Sequence, residues 1–117
     1  MGETRVIIEE PRWDSDSREI EGTWIVQGTE VGLLCDADDL EEGLRRAESA
    51  LATLGHRLAA VRATAAEALQ VDSTTLELDA VTLRRDGICE VVLDDGALQV
   101  VVVRVRTDGT IEDVTTR

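Results

Sequence analysis

The chain has no lysine, asparagine, phenylalanine or tyrosine, a single histidine, a single proline and two cysteines. Each scarcity removes a class of function. A membrane-spanning helix needs roughly 18 or more consecutive apolar residues; no such run occurs, and no long apolar signal core follows Met1, so the expectation is a cytoplasmic protein with no membrane contact. With lysine absent, and with neither the Walker spacing nor the dinucleotide glycine fingerprint, no phosphate-cradling loop is predicted. Nucleic acid is not an expected partner, because the chain lacks both a basic patch and aromatic stacking residues.

The shortage of His and Cys bears on catalysis. A nucleophile needs a nearby base, and His56 is the one imidazole available; it falls at a predicted helix junction, where it is read as a donor to last-turn carbonyls. Two isolated cysteines and one histidine do not make a tetrahedral zinc site. Cys35 and Cys89 each lie in an apolar run and are read as buried free thiols, with acids near Cys35 raising its pKa. No catalytic residue, resident metal or cofactor is assigned, and the chain is read as non-enzymatic.

The missing residue types share AT-rich codons, so a GC-rich bacterial genome accounts for them. The use of Arg for all 12 basic residues is therefore not evidence of bidentate anion binding. A chain of 117 residues fits one domain, 1–117, burying roughly two-thirds of its unfolded surface. With no Phe or Tyr, its core must be built from Val, Leu, Ala and Ile.

What is abundant is acid. The formal charge is −13, and the first 42 residues hold 13 acids against three arginines, a net of −10. A field of this sign repels nucleic acid and anionic membranes and attracts basic partners.

The pattern along the chain predicts an α+β fold. Thr4–Ile8 reads as a first strand, and residues 9–22 as a polar loop carrying Pro11 and Trp13. Thr23–Gln27 and Glu30–Cys35 form a hairpin about Gly28 and Thr29. Apolar residues then recur at Leu40, Leu44, Ala47, Leu51, Leu54, Leu58, Val61, Ala65 and Leu69, a helical repeat whose start Asp36 or Asp38 can cap. One helix from Asp38 to Leu69 would be about 48 Å long. Gly55 is the natural break, so a helical hairpin, Asp38–Leu54 and His56–Gln70, is predicted, with one unbroken helix as the alternative. The parity change near Asp79 and Ala80 suggests a bulge or two short strands. Asp86-Gly87, Asp95-Gly96 and Asp108-Gly109 then punctuate a C-terminal antiparallel meander, Val81–Arg84, Ile88–Leu93, Leu98–Arg106 and Thr110–Val114, packed on the helices. The run Val100–Val103 is apolar on both parities, which implies cover on both faces.

The order of these elements, with Gly22 to Trp24, the segment CDADDLEEGL at Cys35–Leu44, and the tail from Leu83 through Gly96 to Gly109, resembles small bacterial domains of unknown function. Several groups of these look like cytosolic immunity proteins of polymorphic toxin systems. The resemblance runs over residues 20–115 and implies a binding protein without catalytic residues. The first expectation is accordingly an immunity-type protein that meets a basic protein partner, such as a secreted nuclease, through Trp13, Asp14, Asp16, Asp36, Asp38 and Asp39. A second is a homo-dimer or larger homo-oligomer joined through Val100–Val103 or the leucine stripe. The third is a divalent-metal-dependent enzyme using Asp14, Asp16 and Glu19, or Asp36, Asp38 and Asp39. The first of these acidic sets lacks the Gly of a calcium loop, and the second has Leu40 and Glu41 where an EF-hand needs a ligand and that Gly.

Overall fold

The computed structural model describes residues 5–97 and 99–117. Its elements are β1 (Ile7–Asp14), β2 (Glu19–Val26), β3 (Thr29–Asp36), α1 (Leu40–Leu69), β4 (Glu77–Leu83), β5 (Cys89–Asp94), β6 (Val100–Val105) and β7 (Ile111–Thr116). The strands form one sheet in chain order, antiparallel throughout except where β3 and β4 pair in parallel. The helix covers one face, and a shortest dimension of 24 Å leaves room for these two layers and no third.

The helix is single, which corrects the predicted hairpin. Gly55 lies within it, and the left-handed terminus is Gln70 (φ 57°), whose N–H meets the Ala66 and Glu67 carbonyls. The parallel pairing explains why. A helical hairpin would return the chain to the end where β3 finishes, and β4 would then run antiparallel to it; only a single traverse delivers β4 to the far end. Thirty residues rise about 45 Å, ample to span an eight-residue strand of about 26 Å. Because the helix does not end near His56, that residue sits mid-helix on the exposed side and not at a helix terminus.

The helix starts at Asp39, not at Asp36 or Asp38. Its backbone is extended, and its carboxylate accepts the Glu42 N–H at 2.8 Å. The apolar stripe buries Ala47, Leu51, Leu54, Leu58, Val61 and Ala65 against Trp24, Val31, Val81, Val91, Val101 and Val103. Three helix arginines bolt the layers together through backbone carbonyls: Arg46 to Asp36 at 2.8 Å, Arg57 to Gly109 at 3.0 Å and Arg62 to Leu76 at 2.6 Å. Each carbonyl lies at a strand end or turn.

The polar segment 9–22 is largely strand and not a loop: β1, a turn over residues 15–18, and the first half of β2. An edge strand facing solvent on one side needs few apolar residues, and here Ile8 and Trp13 suffice to hold β1 on the core. A bulge at Glu10 (φ 50°) and Pro11 interrupt this edge. The first residue of the predicted strand Thr4–Ile8 lies outside the described residues. The first hairpin turns on Gln27 and Gly28, both at positive φ, one residue earlier than the sequence suggests.

The meander follows its Asp-Gly signals, with the expected bulge between Leu78 and Ala80. Two of its turns are built alike. In Arg84–Ile88 and in Arg106–Thr110 a three-residue loop ends on a left-handed Gly, and the Asp carboxylate accepts the N–H two residues on. Each opens with an Arg paired to a Glu six residues later, Arg84 with Glu90 and Arg106 with Glu112. Leu98, at the start of the third predicted meander strand, lies outside the described residues; β6 begins at Val100.

Gly43 marks the closest approach of the layers. A Cβ there would overlap the Ile20 side chain and lie 2.5 Å from the Ala37 Cβ, both in the core. Gly→Ala inside a helix ordinarily stabilises by about 1 kcal/mol, but overpacking costs about 1–3 kcal/mol. Gly43→Ala is therefore expected to lower stability, by up to about 2 kcal/mol net. Urea denaturation checks the sign.

Candidate functional site

The second face of the sheet has no element of the described chain over it, and strand register determines what it displays. Paired residues on neighbouring strands share a face, so the side chains opposite the helix can be read off in rows. One row is Thr23, Gly32, Ala80, Val92, Val102 and Thr115. The next is Arg12, Glu21, Leu34, Thr82, Glu90, Arg104 and Asp113. A third, at the end where α1 begins, is Asp14, Glu19 and Asp36.

These rows divide the face. Over β5–β7 the charges neutralise one another, with Arg104 3.5 Å from Glu90 and 3.7 Å from Asp113. Over β3–β6 lies an aliphatic strip of Leu34, Ala80, Val92 and Val102; Val102 is only 5 % exposed because neighbouring side chains crowd it. The Val100–Val103 run is thus split, Val101 and Val103 under the helix and Val100 and Val102 on the bare face. Over β1–β3, Glu9, Asp14, Glu19, Glu21, Glu30 and Asp36 face the same way with Arg12 the one base among them. Glu19 and Glu21 form no ion pair among the described residues.

The six residues singled out in the sequence divide between this face and the structure beneath it. Asp14 and Asp36 lie in the acidic row, joined by Glu19. Asp36 also accepts the Arg85 N–H at 3.1 Å. Trp13 points to the helix side, half-buried, and its indole N–H donates to the Ala37 carbonyl at 3.0 Å, as a lid on the core. Asp16 is in the adjacent turn, its N–H bonded to the Asp14 carboxylate. Asp38 is bracketed by Arg18 and Arg85, at 3.5 and 2.9 Å, and Asp39 is the helix cap. No group of three His, Cys, Asp or Glu is placed to hold a metal ion among the described residues. The sequence reading missed Glu21 as part of this face. Alternation of Ile20 and Glu21 was its available signal, hidden by assigning the segment to a loop.

On the helix side, at the same end of the sheet, a cavity of about 270 Å³ opens between α1 and the ends of β3–β6. Cys35 and Cys89 line it, both free and buried. They flank Leu83 across three adjacent strands, so their Cα atoms are about 10 Å apart, beyond the reach of a disulfide. Burial pushes the Cys35 thiol up, opposed by Arg46 and reinforced by Asp36. Cys89 is pushed up to about 12, first by burial and then by Glu90 and Cys35. Both are protonated and unreactive at neutral pH.

Fold and face together define a two-layer α+β protein with one bare, half-acidic sheet face. No protein-family model, curated protein or solved structure matches the chain. No helix among the described residues is long and apolar enough to cross a membrane.

Two expectations follow. Like charges directly opposite destabilise a sheet, so Glu19→Gln should raise stability by about 0.5 kcal/mol at low salt and less at high salt, by urea denaturation. The Cys89 thiol loses its proton in the unfolded chain near 9 but in the folded protein only near 12. Its stabilising contribution is therefore complete below pH 9 and lost as pH rises toward 12, at up to about 1.4 kcal/mol per pH unit. The fall in urea midpoint above pH 9 should be smaller in Cys89→Ala than in the parent.

Proposed function

We propose that this protein is a non-catalytic binding protein of the immunity type, which holds a basic protein partner against the acidic half of its bare sheet face. The observation that carries this reading is the row Asp14, Glu19 and Asp36, three carboxylates side by side on adjacent strands. Such a row costs stability in the free protein, and an opposing cationic surface offsets that cost. Glu9, Glu21 and Glu30 extend the same field, and the neighbouring strip of Leu34, Val92 and Val102 supplies an apolar centre.

Size supports the reading. Seven strands spaced about 4.8 Å apart and 20–26 Å long make the whole face roughly 600–750 Å², close to the roughly 800 Å² that each partner buries in a specific complex, so a partner centred on the acidic half extends across the aliphatic strip toward β5–β7. Self-association about a two-fold axis across the strands is disfavoured, because it sets the same carboxylate field against itself. Within the leucine stripe of α1, Leu51, Leu54 and Leu58 are already buried in the core, which leaves Leu40 as its exposed member.

Affinity capture from the source bacterium, followed by calorimetry with the purified partner, tests the proposal. The partner should be basic, bind one to one, and lose affinity between about 50 and about 500 mM salt. Reversing Glu19 and Glu21 to Lys should weaken it by at least about tenfold, since each lost charge contact contributes on that scale. Binding indifferent to salt and to these reversals counts against it. A secreted-toxin gene beside this one fits the immunity reading, and a metabolic operon does not.

A further inference from the structure

A chain with 25 acids and 12 arginines places four of those arginines, Arg46, Arg84, Arg85 and Arg106, around one cavity that no carboxylate lines. The rest of its wall is mainly aliphatic, with Ala50 and Leu54 from α1 and Leu83, Ile88 and Val105 from the sheet and its turns. It sits where β3 and β4 end and the crossover helix begins, the position at which parallel strand pairs present ligand sites.

The arginines are not equivalent. Arg84 pairs with Glu90 at 3.0 Å, Arg85 with Asp38 at 2.9 Å and Arg106 with Glu112 at 3.1 Å. Arg46 has no carboxylate partner among the described residues. Its Nη1 donates to the Asp36 carbonyl at 2.8 Å and its Nη2 to the Arg84 carbonyl at 3.4 Å. Two neutral acceptors fix the guanidinium at the cavity and leave its charge uncompensated.

We infer that this cavity is a binding site for a medium-chain aliphatic monocarboxylate, its chain against Leu54, Leu83, Ile88 and Val105 and its carboxylate on Arg46. A volume of about 270 Å³ lies just below the roughly 300–1,000 Å³ of drug-sized ligand sites, which limits the occupant to a small molecule. A charge of −13 on the whole chain favours a monoanion over a dianion. The site lies on the helix side of the sheet, opposite the proposed partner face, and Asp36 joins the two, its carbonyl accepting from Arg46 and its carboxylate from the Arg85 N–H.

Titration of the ¹⁵N-labelled protein with octanoate, octanol and octylamine tests the inference. Octanoate should saturate, with amide shifts centred on Ser49, Gly87, Ile88 and Thr107. Octanol should bind at least about tenfold more weakly, and octylamine more weakly still, because a charge-assisted hydrogen bond is lost. Arg46→Gln should weaken octanoate by about tenfold or more. Since Arg46 also ties α1 to β3, Ala50→Trp provides a second test: it fills the cavity and leaves Arg46 in place, so the folded variant should lose octanoate binding. The inference is overturned by no saturable octanoate binding in the parent, by octanol binding as tightly as octanoate, or by a folded Ala50→Trp that binds unchanged.

Discussion

The parallel pairing of β3 with β4 is the constraint from which the architecture follows. Every other neighbour in the sheet is antiparallel and is joined by a short turn, which local residues can encode. A parallel neighbour requires the chain to cross back over the sheet, and α1 is that crossing. The requirement keeps the helix unbroken through Gly55 and brings β4 in beside β3. It also sets the ends of β1, β3, β4 and β6 on the same side of the molecule. Close approach at Gly43 and the arginine bonds to strand-end carbonyls then hold the crossing helix down.

That gathering of strand ends sorts the charge. Asp39 works locally, on the free N–H groups of the helix start, and Asp38 is neutralised by Arg18 and Arg85. Asp14, Glu19 and Asp36 come together only because three strands lie in register, and their mutual repulsion is a cost that no ion pair within the row offsets. The arginines divide in the same way. Arg46, Arg57 and Arg62 on α1 serve backbone carbonyls, whereas Arg84, Arg85 and Arg106 of the two similar turns pair with carboxylates while lining a cavity. An acidic face and a basic-rimmed cavity therefore occupy opposite sides of one sheet end. The sheet itself separates the two fields.

Burial, more than neighbouring acid, governs the two thiols. The acids around Cys35 suggested a raised pKa from sequence, and the direction holds, but desolvation is the larger cause and Arg46 opposes it. Cys89 is the more extreme because Glu90 and Cys35 both add to the effect of burial, whereas at Cys35 Arg46 opposes it. Cysteine in this chain is core material that also lines the cavity.

By itself the sequence determined what depends on near neighbours: the α+β class, the amphipathic helical repeat, the hairpin before it, the Asp-Gly turns of the meander and the bulge near Ala80. Each is written in a spacing of two or about four residues, or in a turn residue that tolerates positive φ. It misplaced β1, because an edge strand with one solvated face is polar enough to pass for a loop, and it broke the helix at Gly55, because glycine carries the same local signal at a terminus and in an interior. Only the tertiary structure decided the direction of β4, the side to which Trp13 turns, the row that joins Glu19 to Asp14 and Asp36, and the ring of arginines. These are contacts between residues far apart in the chain, fixed by sheet register and helix packing, and no local pattern records them.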